Sequence, residues 1–351
     1  MVIYFVLLFI PILIQPFIGK YRKLYRNTMF LLIFLLLGLR DFSVGGDLES
    51  YQISYGYISR TSIFDVFQEY GTEPLFLLFN KICGSLSNGS FRFFLLASAF
   101  CFSAILSQII YENCEKQWLS WFLFMAFGYL PYGFALIRAS FTLLIGTYFL
   151  KYRLDPQSRL DKSSRLKFYF GEICAALFHY TGLVFFLIEP MKKLKTKKYY
   201  SIVYISLCIV VFVFGGDIVE IFANIFFPNK VYSFSASGGM WLLIVIFLIR
   251  IVMALFFPKT KKDERYIYFE TLLELGILSQ IITFHFSLWS RMTNLIVFYP
   301  FVVLPNYLSN LRLDKSFRVV MYLAVLALGV GMYFVQLNAD SAEIVPYLLG
   351  W

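Results

Sequence analysis

The sequence predicts an all-α polytopic membrane protein with one integral membrane domain, residues 1–351, on three observations. Apolar residues make up 60% of the chain and charged residues only 15%, against roughly 25% charge in soluble domains. The apolar residues come in long runs, which suit helices crossing a bilayer and not the alternating segments of a transmembrane barrel. The basic residues are gathered: more than two-thirds of the 31 Lys and Arg fall in the stretches 20–26, 151–167, 192–198, 259–265 and 312–318. Basic residues in short loops mark the cytoplasmic side. The formal charge of +10 therefore reads as an orientation signal and a handle on anionic headgroups, and not as a nucleic-acid surface. None of the five Cys lies in a C-x-x-C pair; they read as small residues of apolar runs, not as a disulfide or metal framework.

Taken in order, residues 1–19 have no basic start and no small-residue cleavage site, so they are expected to form the first span. The stretch 20–26 is then inside, and 27–39 returns outward. Residues 40–73 form the first long outer segment, with six acids against only Arg40 and Arg60. The run 74–86 is too short to cross, at roughly 20 residues per span, and is expected to be re-entrant. Residues 91–111 cross; 118–132 and 134–150 follow, broken near Pro131 and Gly133. The alternative is that 118–132 dips in and out. Residues 168–189 amount to about one span, yet both flanks are basic. This segment is expected to enter and come back, with arms of about 16 Å and a bend at 179–182. Irregular backbone at that depth must line a cavity or be buried in protein. Residues 199–214 lead out to a second outer loop, 215–239. The runs 240–257, 266–284, 291–308 and 319–337 then alternate, ending in an outer tail, 338–351. The count is roughly ten to thirteen transmembrane or re-entrant helices.

The chain's most informative stretch is GLRDFSVGGDLESY at 38–51. It places an Arg-Asp pair at a membrane boundary, then a Gly-Gly turn and a second Asp. Gly45 and Gly46 permit a sharp bend, expected to bring Asp47 back towards Arg40. Charge at membrane depth is expensive and marks function by default; the plainer reading is an interfacial loop with a snorkelling Arg. Arg138, in YGFALIRASFTLL, has no acid near it in sequence. Arg291, in HFSLWSRMTNL, opens a helix beside His285 and Trp289, as a functional cation or an anchor in an aromatic belt. Arg250 is expected to snorkel to the inner surface. Glu73, just before Pro74, reads as a helix cap or as chemistry. The only histidines are His179 and His285, so no metal site is expected. There is no G-x-S-x-G, P-loop or dinucleotide fingerprint.

The expected topology gathers Arg40, Asp41, Asp47, Glu73, Arg138, His179 and Arg291 in the outer half. Three guanidiniums suit a diphosphate, because the planar fork pairs with phosphate oxygens. A carboxylate or His beside them suits removal of a hydroxyl proton. The 42 Phe and 25 Tyr would suit an isoprenoid tail and sugar faces.

In this order, these residues resemble the EpsG-like branch of the Wzy-type polysaccharide polymerases. The resemblance lies in G-L-R-D-x-x-V-G-G-D-x-x-x-Y at 38–51, Glu73-Pro74 with its apolar follow-on, and Arg138 after an apolar run. F-H-Y-T-G at 178–182, and Arg291 followed by Pro300 and Pro305, complete it. Ala139 stands where a Gln commonly follows the Arg in that family. The resemblance implies a GT-C-like membrane glycosyltransferase of a bacterial cytoplasmic membrane, active on its outer side. It would move a growing glycan from undecaprenyl diphosphate to the non-reducing end of a new lipid-linked repeat unit. Arg40, Arg138 and Arg291 would hold the leaving diphosphate; Asp47, Glu73 or His179 would take the acceptor proton; Asp41, Tyr51 and His285 are secondary candidates. No cofactor or metal is expected. The expected partners are lipid-linked oligosaccharides, membrane lipid and a chain-length regulator. The competing readings are a lipid-linked oligosaccharide flippase or transporter, an O-antigen ligase, and a structural member of the assembly complex.

Overall fold

The structure is a computed structural model and describes residues 2–70, 73–154, 161–226, 239–258, 260, 263–340 and 342–350. The described residues form sixteen α-helices and no strand beyond one isolated bridge, Arg40 to Leu349. The chain is an all-α polytopic membrane protein. Among the described residues, α6 (Phe91–Asn113), most of α12 (Tyr200–Phe226) and α16 (Lys315–Ala339) are long and apolar enough to cross a membrane. The shorter α1 (Val2–Ile18) and α13 (Met240–Phe256) are comparably apolar.

Polar contacts sort the helix ends into two groups. At the first end, Arg22, opening α2 (Arg22–Gly38), donates to the carbonyls of Tyr111 and Cys114 at the close of α6. Lys151, near the end of α9 (Ile137–Leu154), pairs with Glu112 at 3.4 Å. Arg153 pairs with Glu189 at 2.8 Å, and Lys192 with Glu264 at 2.7 Å. These join α9, α11 (Ile188–Lys195) and the start of α14 (Glu264–Thr283). The Arg312 amide donates to Phe256 at the end of α13. The contacts thus bring parts of all five basic stretches to one end of the bundle, as the positive-inside pattern requires.

The opposite end holds the stretch 38–51. The Arg40 guanidinium donates to the Leu37 carbonyl at 2.6 Å and to Phe134 at 2.9 Å, fastening α2 to α8 (Leu130–Phe134). The Gly-Gly turn does not fold Asp47 onto Arg40. It is held by the C-terminal segment, where the Gly45 amide donates to Glu343 and the Gly46 amide to Ala342, both at 2.9 Å. Gly45 has φ +124°, and a Cβ there would lie 2.8 Å from the Phe134 carbonyl oxygen, so only glycine fits. The last residues are accordingly no loose tail. The Asp41 amide donates to Leu348, the Gly350 amide to Leu39, and the Tyr4 and Tyr347 hydroxyls to the carbonyls of Ile344 and Leu36.

Two expectations about short segments fit the geometry. Helix α5 (Pro74–Ser87) is 14 residues long, about 21 Å at 1.5 Å per residue, short of a bilayer core. It begins at the Arg138 and His179 side chains and ends beside Tyr55 and the first turn of α6, so both its ends lie at the same end of the bundle. The run 168–189 does turn back. Helix α10 (Lys162–Phe178) carries the chain to His179, and a 3-10 helix (Tyr180–Leu187) returns packed against it. Gly182 allows this: a Cβ there would lie 2.7 Å from the Ala175 and Ala176 main chain.

Other segments differ from expectation. Residues 40–73 hold two helices, α3 (Leu48–Arg60) and α4 (Ile63–Tyr70). These, with the short α8 and α11, account for the surplus over ten to thirteen spanning or re-entrant pieces. The break expected near Pro131 and Gly133 falls on either side of α8: α7 (Gln117–Ala126) stops before Gly128 and α9 starts at Ile137. Arg250 does not snorkel. Its guanidinium turns inward and pairs with Glu270 at 3.0 Å and Glu274 at 2.8 Å on α14, where Lys195 also pairs with both. Opposite charge within the protein holds it more closely than the water surface would. Most of the expected second outer loop, 215–239, lies outside the described residues or continues α12.

Candidate functional site

Glu73 is the centre of the site. It immediately precedes α5, with φ 59° and ψ 52°, and its side chain caps nothing. A left-handed backbone costs an L-residue about 1–2 kcal/mol, and here it aims the carboxylate away from its own helix. One oxygen accepts from Arg138 Nη1 at 2.6 Å, and the other is bonded to His179 Nδ1. Burial works against the charge of Glu73, but His179 and Arg138 outweigh it and hold its pKa below the ordinary Glu value. The acid that Arg138 lacks in sequence is thus supplied from 65 residues away.

Arg138 lies on α9, one residue after the break that follows α8. Its guanidinium also faces the rings of Tyr51, at 5.7 Å, and Phe76, at 5.9 Å. Its Nε is buried with no partner among the described residues, while its side chain is 43% exposed, so donors remain for a ligand. His179 is buried at the bend between α10 and the 3-10 helix and reaches the site through Glu73.

Glu73, Arg138, Tyr51, Asp47 and Arg291 line one cleft of about 320 Å³. Arg291, in the first turn of α15 (Ser290–Leu308), makes no ion pair among the described residues, and Asp47 none either. A second cleft of about 530 Å³ adjoins the first and shares Asp47 and Arg291 with it. The broken stretch between α7 and α9 lines this second cleft, which is where irregular backbone in a membrane bundle belongs.

Three candidates stand elsewhere. Arg40 is 1% exposed, its fork taken up by two carbonyls and its Nε without a partner, and it lines neither cleft. Asp41 accepts from the Ser43 amide and hydroxyl, which lower its pKa, and sits at the tail junction. His285 bonds the Phe212 carbonyl between α14 and α12. The described residues contain no group of three or more His, Cys, Asp or Glu placed to hold a metal. The second cleft adds groups that sequence reasoning missed: Tyr132, Asn294, Gln336 and Asp340. The available signal was an amide within each of two apolar helices, α15 and α16.

Such an arrangement defines a class: a polytopic helical membrane protein with a cation-bearing polar cleft sunk into one end of the bundle at breaks in its helices. Within that class the chain matches the EpsG family over residues 23–349, and it belongs to that family. Its members resemble the Wzy-type polymerases, and membership carries a polysaccharide-polymerase-like role in the membrane. Searches of curated proteins and of solved structures gave no match.

Proposed function

We propose that the protein polymerises lipid-linked oligosaccharide repeat units, transferring the growing glycan from undecaprenyl diphosphate to the non-reducing end of a new unit. The observation that carries this reading is the meeting of Arg138 and Arg291 with Asp47 in one cleft, with Arg138 set by Glu73.

An acceptor hydroxyl oxygen attacks the anomeric carbon of the donor sugar. A new C–O bond forms as the bond from that carbon to phosphate breaks. The electron pair leaves with undecaprenyl diphosphate, and the hydroxyl proton passes to a base. Arg138 and Arg291 grip the departing oxygens, where charge develops; such preorganised stabilisation is commonly worth several kcal/mol. Glu73 is committed to Arg138 and His179, so it and His179 act as positioning residues. Asp47 faces both clefts with an unpaired carboxylate and takes the proton. Arg40 supports the site through α8 and leaves the diphosphate to the other two arginines. The site lies at the end opposite the basic stretches, and this supports the reading of an active site on the outer side of a bacterial cytoplasmic membrane. A GT-C-like mechanism, in which the lipid diphosphate and no nucleotide is the leaving group, fits these residues. Membrane lipid surrounds the bundle, and a chain-length regulator is a further partner on this reading.

The test is polymerisation by purified protein in lipid nanodiscs given only synthetic repeat units on undecaprenyl diphosphate. The expected result is a glycan ladder with one undecaprenyl diphosphate released per bond. Transport of the units across proteoliposomes without bond formation would replace this reading with the flippase.

A further inference from the structure

We propose that the second cleft is a saccharide site that holds the incoming acceptor repeat unit, with Gln336 and Asn294 reading its hydroxyls. The inference rests on the polymerase reading above.

A transfer between two glycans needs room for two. The diphosphate-gripping Arg138 lines only the smaller cleft, whereas Asp47, which takes the acceptor proton, stands where the two clefts join. The acceptor sugar must touch Asp47, and the larger cleft is the space that reaches Asp47 without passing Arg138. At about 530 Å³ it falls within the range of small-molecule pockets, roughly 300–1,000 Å³.

Its chemistry suits a neutral polyhydroxylated ligand. Arg291, at the shared mouth, is the one cation among the described lining residues, against the carboxylates of Asp47 and Asp340. That balance disfavours a second diphosphate. The carboxylate of Asp340 accepts from the Ile344 and Val345 amides, which makes it part of the wall. The Gln336 amide makes no side-chain hydrogen bond among the described residues. It lies over Gly128, where φ is +79° and a Cβ would come within 2.4 Å of its Oε1. The break after α7 therefore places a free donor and acceptor over the cleft. Asn294 and Tyr132 line the same cleft, with the Asn294 side chain within hydrogen-bond reach of the Tyr132 phenol. An amide offers both donors and an acceptor, and a phenol ring offers an apolar face with a polar edge, which together match the alternating C–H and O–H surface of a sugar.

The experiment separates donor from acceptor. A repeat unit on undecaprenyl diphosphate, deoxygenated at its acceptor hydroxyl, serves only as donor. The unmodified unit, with its acceptor hydroxyl intact, as an alkyl glycoside has no leaving group and serves only as acceptor. Initial rates of single transfer are measured in nanodiscs. Gln336→Leu and Asn294→Leu are expected to raise KM for the glycoside at least tenfold while KM for the donor moves less than twofold. Gln336→Glu, which keeps an acceptor oxygen at that position and loses only the donors, is expected to recover part of the loss. As a measurement that does not depend on turnover, alkylation of Gln336→Cys is expected to slow several-fold when the glycoside is added. Transfer by the wild type with acceptor KM unchanged in both Leu variants, or with donor KM rising in its place, overturns the saccharide site and leaves the polymerase reading standing. No transfer by the wild type, with no protection at position 336, removes both.

Discussion

Glu73 holds the site together at the scale of single residues, because three costs meet in it: a left-handed backbone, burial and a charge. Arg138 and His179 offset them. Since the folded pKa lies below the usual 4.5, the stability from ionised Glu73 is fully present above that value. It is lost as pH falls through the lower folded value. Glu73→Gln is expected to lower stability at neutral pH by about 1–3 kcal/mol, the cost of leaving buried partners unsatisfied. Melting curves in detergent should show the gap between wild type and variant closing as pH is taken well below 4.5; a gap independent of pH would deny the carboxylate its charge. Asp47→Asn is expected to lower turnover by about 10²–10⁴, the usual range for a general base, with the melting temperature unchanged. Arg138, Arg291 and Glu73 were legible in the sequence because an isolated charge beside an apolar run is costly unless something uses it. Arg40 gave the same signal, but two main-chain carbonyls take up its fork, and a sequence shows no carbonyl's position. Gln336 and Asn294 gave almost none, since a lone amide in an apolar helix is common.

Breaks are what matter among the elements. The interruptions around α8, the bend at His179 and the turn at Gly45 place main chain and side chains where continuous helices would exclude them. The bend depends on Gly182 lying against α10. Gly182→Ala, with its Cβ 2.7 Å from main chain, is expected to cost about 1–3 kcal/mol and to reduce transfer by moving His179 off Glu73. A fully active Gly182→Ala enzyme would mean that the bend does not govern the site. The C-terminal segment closes the Gly45–Gly46 turn by accepting a hydrogen bond from each of the two glycine amides, and it walls the second cleft. Truncation after Asp340 is therefore expected to lower the melting temperature and abolish transfer, measured on purified protein. The hairpin was legible because its two basic flanks left it no other path, and α5 because of its length. The return of the tail onto 38–51 was not, because main-chain hydrogen bonds between distant segments leave no residue signature.

For the molecule as a whole, the separation of ends is the organising fact. Arg22, Lys151, Arg153, Lys192 and Arg312 are linked through neighbours at one end, and Asp47, Glu73, Arg138 and Arg291 meet at the other. In a background free of the five native Cys, Asp47→Cys should react in intact cells with a membrane-impermeant maleimide. Lys195→Cys should react only after the membrane is opened. The charge pattern made this polarity legible from the sequence, since basic loops resist translocation; it could not say which charges at the far end would share a cleft. The account stands on Arg138 and Arg291 stabilising a departing diphosphate. Purified Arg138→Ala and Arg291→Ala, given synthetic lipid-linked repeat units, test it most directly. Each is expected to lose about 10²–10³ in turnover. Arg291→Ala, which breaks no ion pair among the described residues, is expected to keep the wild-type melting temperature, whereas Arg138→Ala, which takes a partner from buried Glu73, is expected to lower it. Glycan ladders of normal length and rate from both variants would contradict it.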